Sequence, residues 1–282
     1  MTPAILRRLC IESVKRWSDD YAQSMGAALA YYAMFSIAPL LLIVISVTGV
    51  FFGPEAIRGE IFSQLRGLMG DEGALAVQQL LESVSQPDKS LLATVIGAIM
   101  LAVGATTVFG ELQDDLDRIW KSPPRRKEAG LWRLIQGRLL SFGMILGIGF
   151  LLLVSLIFNA LLTAMGTWWA PIFGTWVKVA AVSNAVISFI LVAVMFALIY
   201  KFMPRARVLW SDVLVGALVT AFLFTIGKAL IGMYLGASGV ASGYGTAGSL
   251  IALLVWVYYS AQIFLLGAEF TKVYAESHGS LK

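Results

Sequence analysis

A run of 26 residues without a charged side chain, 27–52 (AALAYYAMFSIAPLLLIVISVTGVFF), constrains the fold of this chain most strongly. A bilayer core about 30 Å thick is crossed by about 20 apolar helical residues, so this run is long enough to span a membrane. Hydrophobic residues make up 59% of the 282 residues, charged residues make up 13%, and the mean hydropathy is +0.81. A water-soluble chain of this length could not bury that much apolar surface, so much of it must face lipid.

Five further segments have the length and the apolar character of transmembrane helices. Within these five segments charged residues occur only near the ends, with Lys228 as the exception. We therefore predict an all-α polytopic membrane protein with one membrane domain over residues 1–282. The six predicted spans are residues 27–52, 91–110, 139–166, 178–202, 213–235 and 247–270.

The distribution of lysine and arginine predicts the orientation of the spans. Of the 21 basic residues, 16 fall in the N-terminal segment, the second and fourth connections and the C-terminal tail. Under the positive-inside rule, both termini are cytoplasmic. We assign the net charge of +4 to topology and to anionic lipid headgroups at the cytoplasmic face, not to a nucleic-acid partner. The oligomeric state stays open, with a homo-oligomer as one alternative.

Three segments outside the spans have a recognisable character. Residues 1–26 are predicted as a cytoplasmic amphipathic helix in the headgroup layer, the alternative being a frayed tail. Residues 53–90 are predicted as a periplasmic loop with two short amphipathic helices, and residues 111–138 as a basic cytoplasmic connection. The apolar face predicted for the first helix consists of Leu6, Leu9, Cys10, Ser13, Val14 and Trp17.

Titratable residues with the spacing of an enzyme site are not visible in the sequence. The only histidine, His278, lies in a polar tail, and no Cys/His or Glu/His set has the spacing of metal ligands. We therefore expect no catalytic residue, no metal and no cofactor. Carboxylates can bind Mg²⁺, but we interpret the acidic residues at cytoplasmic helix ends as a structural charge cluster, with Glu269 held by Lys201 or Arg205. The cluster consists of Glu111, Asp114, Asp115 and Glu269.

Three polar residues within the spans are candidates for binding a substrate. Counting from the middle of each span places Asn159, Asn184 and Lys228 about 10, 9 and 6 Å to the outer side of the midplane. Lys228 has no carboxylate at its depth, so its ammonium must lose its proton, reach water or bind an anion. The alternative is a lysine that extends to the outer headgroups and two asparagines that bond neighbouring helices.

Helix-breaking residues mark two places where the backbone could bend or open. Pro39 predicts a kink in the first span. Gly239, Gly243 and Gly245 belong to the glycine-rich stretch 232–249, where irregular backbone is tolerated only beside protein or a water-filled cavity. We predict a gating role for these four residues; a flexible hairpin with close helix packing is the alternative.

A series of short motifs extends from the first predicted span to the last. They are Ala30-Tyr31-Tyr32 with Ser36 and Pro39, Leu116-Asp117-Arg118-Ile119-Trp120, Tyr200-Lys201-Phe202-Met203-Pro204, Trp210 with Asp212 and Gly216, Tyr244-Gly245 with Gly248-Ser249, and Trp256-Val257-Tyr258 through Gly267-Ala268-Glu269. In their order and spacing the chain resembles the YihY/virulence factor BrkB family of bacterial inner-membrane proteins. The resemblance implies six spans, although this chain has Asp117 where members commonly have Asn.

The resemblance does not decide between three functions. Members have been linked to movement of envelope lipids or solutes, and the polar residues above favour a transporter or flippase-like protein for an anionic or amphipathic substrate. The second alternative is a non-transporting scaffold that maintains envelope integrity through small-residue faces. The third, the label ribonuclease BN, a tRNA-processing enzyme, is disfavoured because a metal nuclease needs a convergent carboxylate or histidine set.

Overall fold

The computed structural model describes residues 3–85, 107–122, 176–237 and 248–281, and every regular element within them is a helix. The all-α prediction is confirmed for these residues. The helices are α1 Pro3–Asp19, α2 Ala22–Phe52, α3 Pro54–Ser85, α4 over 107–119, α5 Trp176–Phe202, α6 Trp210–Ala237 and α7 Gly248–Ser277. The predicted third span, 139–166, lies outside the described residues.

Three helices in the described part of the chain are long and apolar enough to cross a membrane. These segments are Ala185–Phe202 of α5, Trp210–Leu235 of α6 and Leu250–Ser277 of α7. They coincide with the last three predicted spans. Helix α2, 31 residues long, contains the first predicted span. The total of six spans and the cytoplasmic position of both termini stay predictions.

Helix α7 is the centre of the described bundle, since it packs against α1, α2, α3 and α6. Its core contact with α5 is aromatic: Tyr200 and Phe264 are buried, and their ring centroids lie 5.2 Å apart. The Tyr200 hydroxyl donates to the Phe264 carbonyl at 2.7 Å and lies 3.1 Å from the Thr220 hydroxyl of α6. A buried tyrosine hydroxyl needs such partners, so this contact fixes how α5, α6 and α7 meet.

Helices α6 and α7 meet through two glycine–threonine pairs that are reciprocal. The Thr271 side chain of α7 occupies the space beside Gly216, and the Thr220 side chain of α6 occupies the space beside Gly267. Each threonine hydroxyl donates to the carbonyl four residues earlier in its own helix, at 2.7 Å. Both threonines are fully buried. Because neither glycine has a Cβ, the two backbones approach closely at this level.

Helix α3 differs from the prediction of two short helices in residues 53–90. The helix is continuous over Pro54–Ser85. Ile61 and Leu81 nevertheless pack in the same small apolar cluster with Ile45 of α2. On a straight helix they would lie about 30 Å apart, so α3 bends back between them. The sequence pattern detected both amphipathic halves and missed the helical backbone that joins them.

Helix α1 docks on the C-terminal half of α7. Leu9 packs in an apolar cluster with Phe270 and Val273. The Arg16 guanidinium forms an ion pair with Glu276 at 2.6 Å. The chain then turns into α2, and the turn places Tyr21 at a φ of 58°, in the left-handed region.

This docking corrects the prediction that one face of α1 lies in the headgroup layer. Leu9 and Ser13 are buried against the protein, whereas Leu6 and Val14 of the same predicted face are 47% and 51% exposed. The apolar face of α1 is wider than its contact with α7, so one side of this face is covered by α7 and the other side is exposed. Contact of the exposed side with lipid headgroups stays a prediction.

Candidate functional site

Lys228 lies on the packed side of α6. It is half-buried and follows the same helix face as Ala221, Phe224 and Ile231, all of which are buried or partly buried. No carboxylate among the described residues forms an ion pair with its ammonium. A lysine that only reached outward through lipid would lie on the exposed face of the helix. The exposed apolar residues of α6 at this level are Phe222, Ile226, Leu230 and Met233.

The register between α5 and α6 separates Asn184 from Lys228. The rings of Phe196 and Phe224 are in contact, with centroids 5.7 Å apart. Asn184 precedes Phe196 by twelve residues, about 18 Å of helix, whereas Lys228 follows Phe224 by four residues, about 6 Å. The two backbones therefore differ by about 12 Å along straight helices. The sequence count placed the two residues at similar depths, whereas this contact places them at different levels along the two helices.

The other residues predicted for binding or gating are mostly beyond reach of the structure. Asn159, Gly239, Gly243 and Gly245 lie outside the described residues, as does the side chain of Asn184. Helix α2 continues through Pro39 without interruption. Lys228 is thus the member of the predicted substrate site whose surroundings the structure shows.

Glu269 is the most completely buried carboxylate in the described part of the chain. Its exposed fraction is 0%, and neither carboxylate oxygen has a hydrogen-bond partner. The carboxyl of Asp20, in the turn after α1, is near enough to act on it. Lys272 and Arg16 are close enough to act on it electrostatically. A buried ionised carboxylate without a donor is costly, so this arrangement needs a chemical explanation.

Arg205 and Lys201, which the sequence suggested as partners of Glu269, bind elsewhere. The Arg205 amide donates to Asp117 Oδ1 at 2.8 Å, and its Nε lies 3.4 Å from Oδ2. Lys201 Nζ donates to the Val208 carbonyl at 2.5 Å. The predicted pairing is therefore wrong, because both cations bind within the connection between α5 and α6 or to α4.

The acidic residues of α4 form a group that does not include Glu269. Asp114 is exposed, whereas Asp115 is buried and its Oδ2 has no hydrogen-bond partner. Burial, and then the nearby charge of Glu111, raise the pKa of Asp115 to about 7, and Arg118 partly opposes this rise. No group of three His, Cys, Asp or Glu side chains able to hold a metal occurs among the residues described.

Comparison with known proteins decides the family. The family described as "Virulence factor BrkB" matches residues 13–282. The chain belongs to the BrkB family. This membership confirms the resemblance seen in the sequence and identifies a membrane protein.

Relatives of this BrkB-family chain are membrane proteins by name. It is 29% identical over 259 residues to a UPF0761 membrane protein of Pseudomonas aeruginosa (strain LESB58), covering 90% of this chain and 59% of the relative. A UPF0761 membrane protein of Cronobacter sakazakii is 27% identical over 263 residues, covering 91% of this chain and 84% of the relative. The chain thus spans about three fifths of the first of these relatives. No solved structure matches it.

Two residues from the BrkB-family motifs hold connections between helices. The Asp117 carboxylate binds the backbone that follows α5, as described above. Asp212, near the start of α6, is 1% exposed and accepts hydrogen bonds from the Ser280 amide, at 3.1 Å, and from its hydroxyl. Asp117 therefore positions the connection between α5 and α6, and Asp212 positions the residues that follow α7.

Asp20 and Lys272 were missed by the sequence reading. Lys272 could have been found, since Glu269, Lys272 and Glu276 follow the i, i+3, i+7 spacing of one helix face. Asp20 gives no such signal, because only the tight turn at Tyr21 brings it to α7.

Proposed function

We propose that this BrkB-family protein moves an anionic or amphipathic molecule, an envelope lipid or a small solute, across the bacterial inner membrane. In this proposal the chain crosses the membrane six times with both termini in the cytoplasm, acts without a catalytic step, and binds the anionic group of the substrate through Lys228.

The position of Lys228 is the observation that carries the proposal. A charged side chain within an apolar helix is costly unless it is paired, hydrated or functional. Lys228 is half-buried on the packed face of α6, and no ion pair to it exists among the described residues. An anionic group entering beside α6 would supply the missing counter-charge.

Lipid movement in proteoliposomes tests this proposal. We would measure how fast a fluorescent phosphatidylglycerol and a fluorescent phosphatidylethanolamine become inaccessible to an external quencher. We expect the wild type to move the anionic lipid, Lys228→Leu to lose this activity, and Lys228→Arg to keep part of it. Ile226→Leu, on the exposed face of the same helix, is the matched control and should keep full activity.

Complementation of a strain that lacks the gene extends the test to small solutes. Lys228→Leu should be expressed stably and fail to complement, and Lys228→Glu should fail because it repels an anion. Full complementation by Lys228→Leu would refute the role of this lysine.

The scaffold alternative has less support among the described helices. A scaffold would present small-residue faces to partner proteins. The spaces beside Gly26, Gly216, Gly227 and Gly267 are filled by side chains of this same chain, Gln262, Thr271, Ile263 and Thr220, whereas Gly59, Gly110 and Gly232 have open space beside them.

A further inference from the structure

The carboxyl groups of Glu269 and Asp20 adjoin each other at the junction of α1, α2 and α7. Glu269 is fully buried on α7, and Asp20 lies in the turn that connects α1 to α2. Two contacts bracket them: Arg16 binds Glu276 at 2.6 Å, and the Gln262 side chain fills the space beside Gly26, so the turn that contains Asp20 lies opposite the part of α7 that contains Glu269. The carboxyl group of Asp20 is near enough to act on that of Glu269. No donor from the described residues reaches either oxygen of Glu269.

Two ionised carboxylates cannot form a hydrogen bond, because each is only an acceptor. When one of them is protonated, its O–H donates to the other, and the contact becomes favourable. In general, two carboxyl groups in contact hold one proton between them for the same reason, since like charges at close range repel.

The basic groups around the pair do not replace this proton. Arg16 is already bound to Glu276, at 2.6 Å, and to Glu12, at 3.1 Å. Lys272 acts on Glu269 electrostatically, but no ion pair joins them within the described residues. Lys121 of the turn after α4 lies near enough to act on Lys272.

We propose that Glu269 and Asp20 form a proton-binding pair that fastens the N-terminal helix α1 to α7. With the proton bound, the pair adds a hydrogen bond to the Leu9 cluster and the Arg16–Glu276 ion pair. When the proton leaves to solvent, two adjacent negative charges remain and α1 loosens from α7. This site does not depend on transport or on Lys228.

Infrared spectroscopy detects the proton directly, through the C=O stretching band of a protonated carboxyl group. The measurement uses the full chain in detergent with Asp115→Asn as background, because the raised pKa of Asp115 keeps that residue partly protonated near neutral pH. At about pH 6, where exposed carboxyl groups are already ionised, we expect a protonated-carboxyl band that disappears as pH rises further. Adding Glu269→Gln should remove this band, since the amide donates to Asp20 without a titrating proton.

Hydrogen exchange of the α1 amides, corrected for the intrinsic effect of pH, measures the fastening. In the background chain, the exchange rate should rise with pH by on the order of tenfold. Repulsion of about 1.4 kcal/mol between the two carboxylates would raise the population with α1 detached from α7 by this factor. Glu269→Gln and Asp20→Asn should each abolish this rise. Glu276→Gln, the matched control, should raise exchange at all pH values and keep the pH-dependent rise.

Three results would overturn the proposal. The first is a pH-dependent rise in α1 exchange that persists in both Glu269→Gln and Asp20→Asn. The second is a protonated-carboxyl band at about pH 6 that survives Glu269→Gln. The third is a background chain without any such band at about pH 6. Loss of lipid movement in Lys228→Leu bears on neither measurement, so the two proposals fail separately.

Discussion

Adding one methyl group at Gly216 should separate α6 from α7. A Cβ at this position would lie 2.7 Å from the Cβ and 2.8 Å from the Cγ2 of Thr271. Carbon atoms pack best at about 3.5–4.0 Å, so the helices must move apart by about 1 Å. Thr271 cannot turn away easily, because its hydroxyl is bound to the Gly267 carbonyl.

The expected magnitude follows from two opposing effects of Gly216→Ala. Overpacking of a close contact costs about 1–3 kcal/mol. Alanine gains about 1 kcal/mol over glycine in helix propensity. The free energy of unfolding should therefore fall by about 0–2 kcal/mol. Gly232→Ala is the matched control on the same helix: no atom lies within 4 Å of the position, so it should be neutral or stabilising by up to about 1 kcal/mol.

Equilibrium unfolding in mixed detergent micelles, followed by tryptophan fluorescence, measures these differences. Combining Gly216→Ala with Thr271→Ala should cost less than the sum of the single changes, because the double variant removes two of the crowding atoms. If Gly216→Ala is as stable as Gly232→Ala, the two helices do not meet as closely as described.

Three further predictions concern the membrane topology and two acidic residues of α4. In a cysteine-free background, Ser122→Cys should resist an impermeant thiol reagent added from outside and Ser85→Cys should react; external labelling at Ser122 contradicts the six-span topology. The pKa of Asp115 is raised to about 7, so the folded state keeps a proton that the unfolded chain releases near pH 4, and the free energy of unfolding falls as pH rises through this window. In detergent unfolding experiments, Asp115→Asn should remove this pH-dependent fall in the free energy of unfolding, which is on the order of 1–3 kcal/mol. Asp114 is exposed, so Asp114→Asn should leave the pH dependence of the free energy of unfolding unchanged. Asp117→Ala should cost about 1–2 kcal/mol and speed hydrogen exchange in the connection between α5 and α6; unchanged exchange there would contradict its role.

The sequence predicted those features that depend on local pattern. Apolar length located the helices that became α5, α6 and α7, and periodicity indicated that residues 5–17 are helical. Features that depend on how helices meet were missed. The contact of Phe196 with Phe224 sets the register of α5 against α6, and this register cannot be calculated from the midpoints of the predicted spans.

The charged partners illustrate the same limit. Glu269 was located on its helix and assigned to the wrong cations, since its neighbour Asp20 is 249 positions away in the chain. The predicted binding residue Lys228 was recognisable because a charge in an apolar helix is visible without any partner.

The ion pair between Arg16 and Glu276 joins positions 260 residues apart, which sets an order on biogenesis. During synthesis α1 emerges before α7, and the surface that covers Leu9 and Arg16 belongs to α7. Until α7 is inserted, α1 has no docking site on the protein and its apolar sector must rest on the membrane surface or a chaperone. Its docking therefore waits until α7 is in place, and truncation before Glu276 removes the ion pair that holds α1 there.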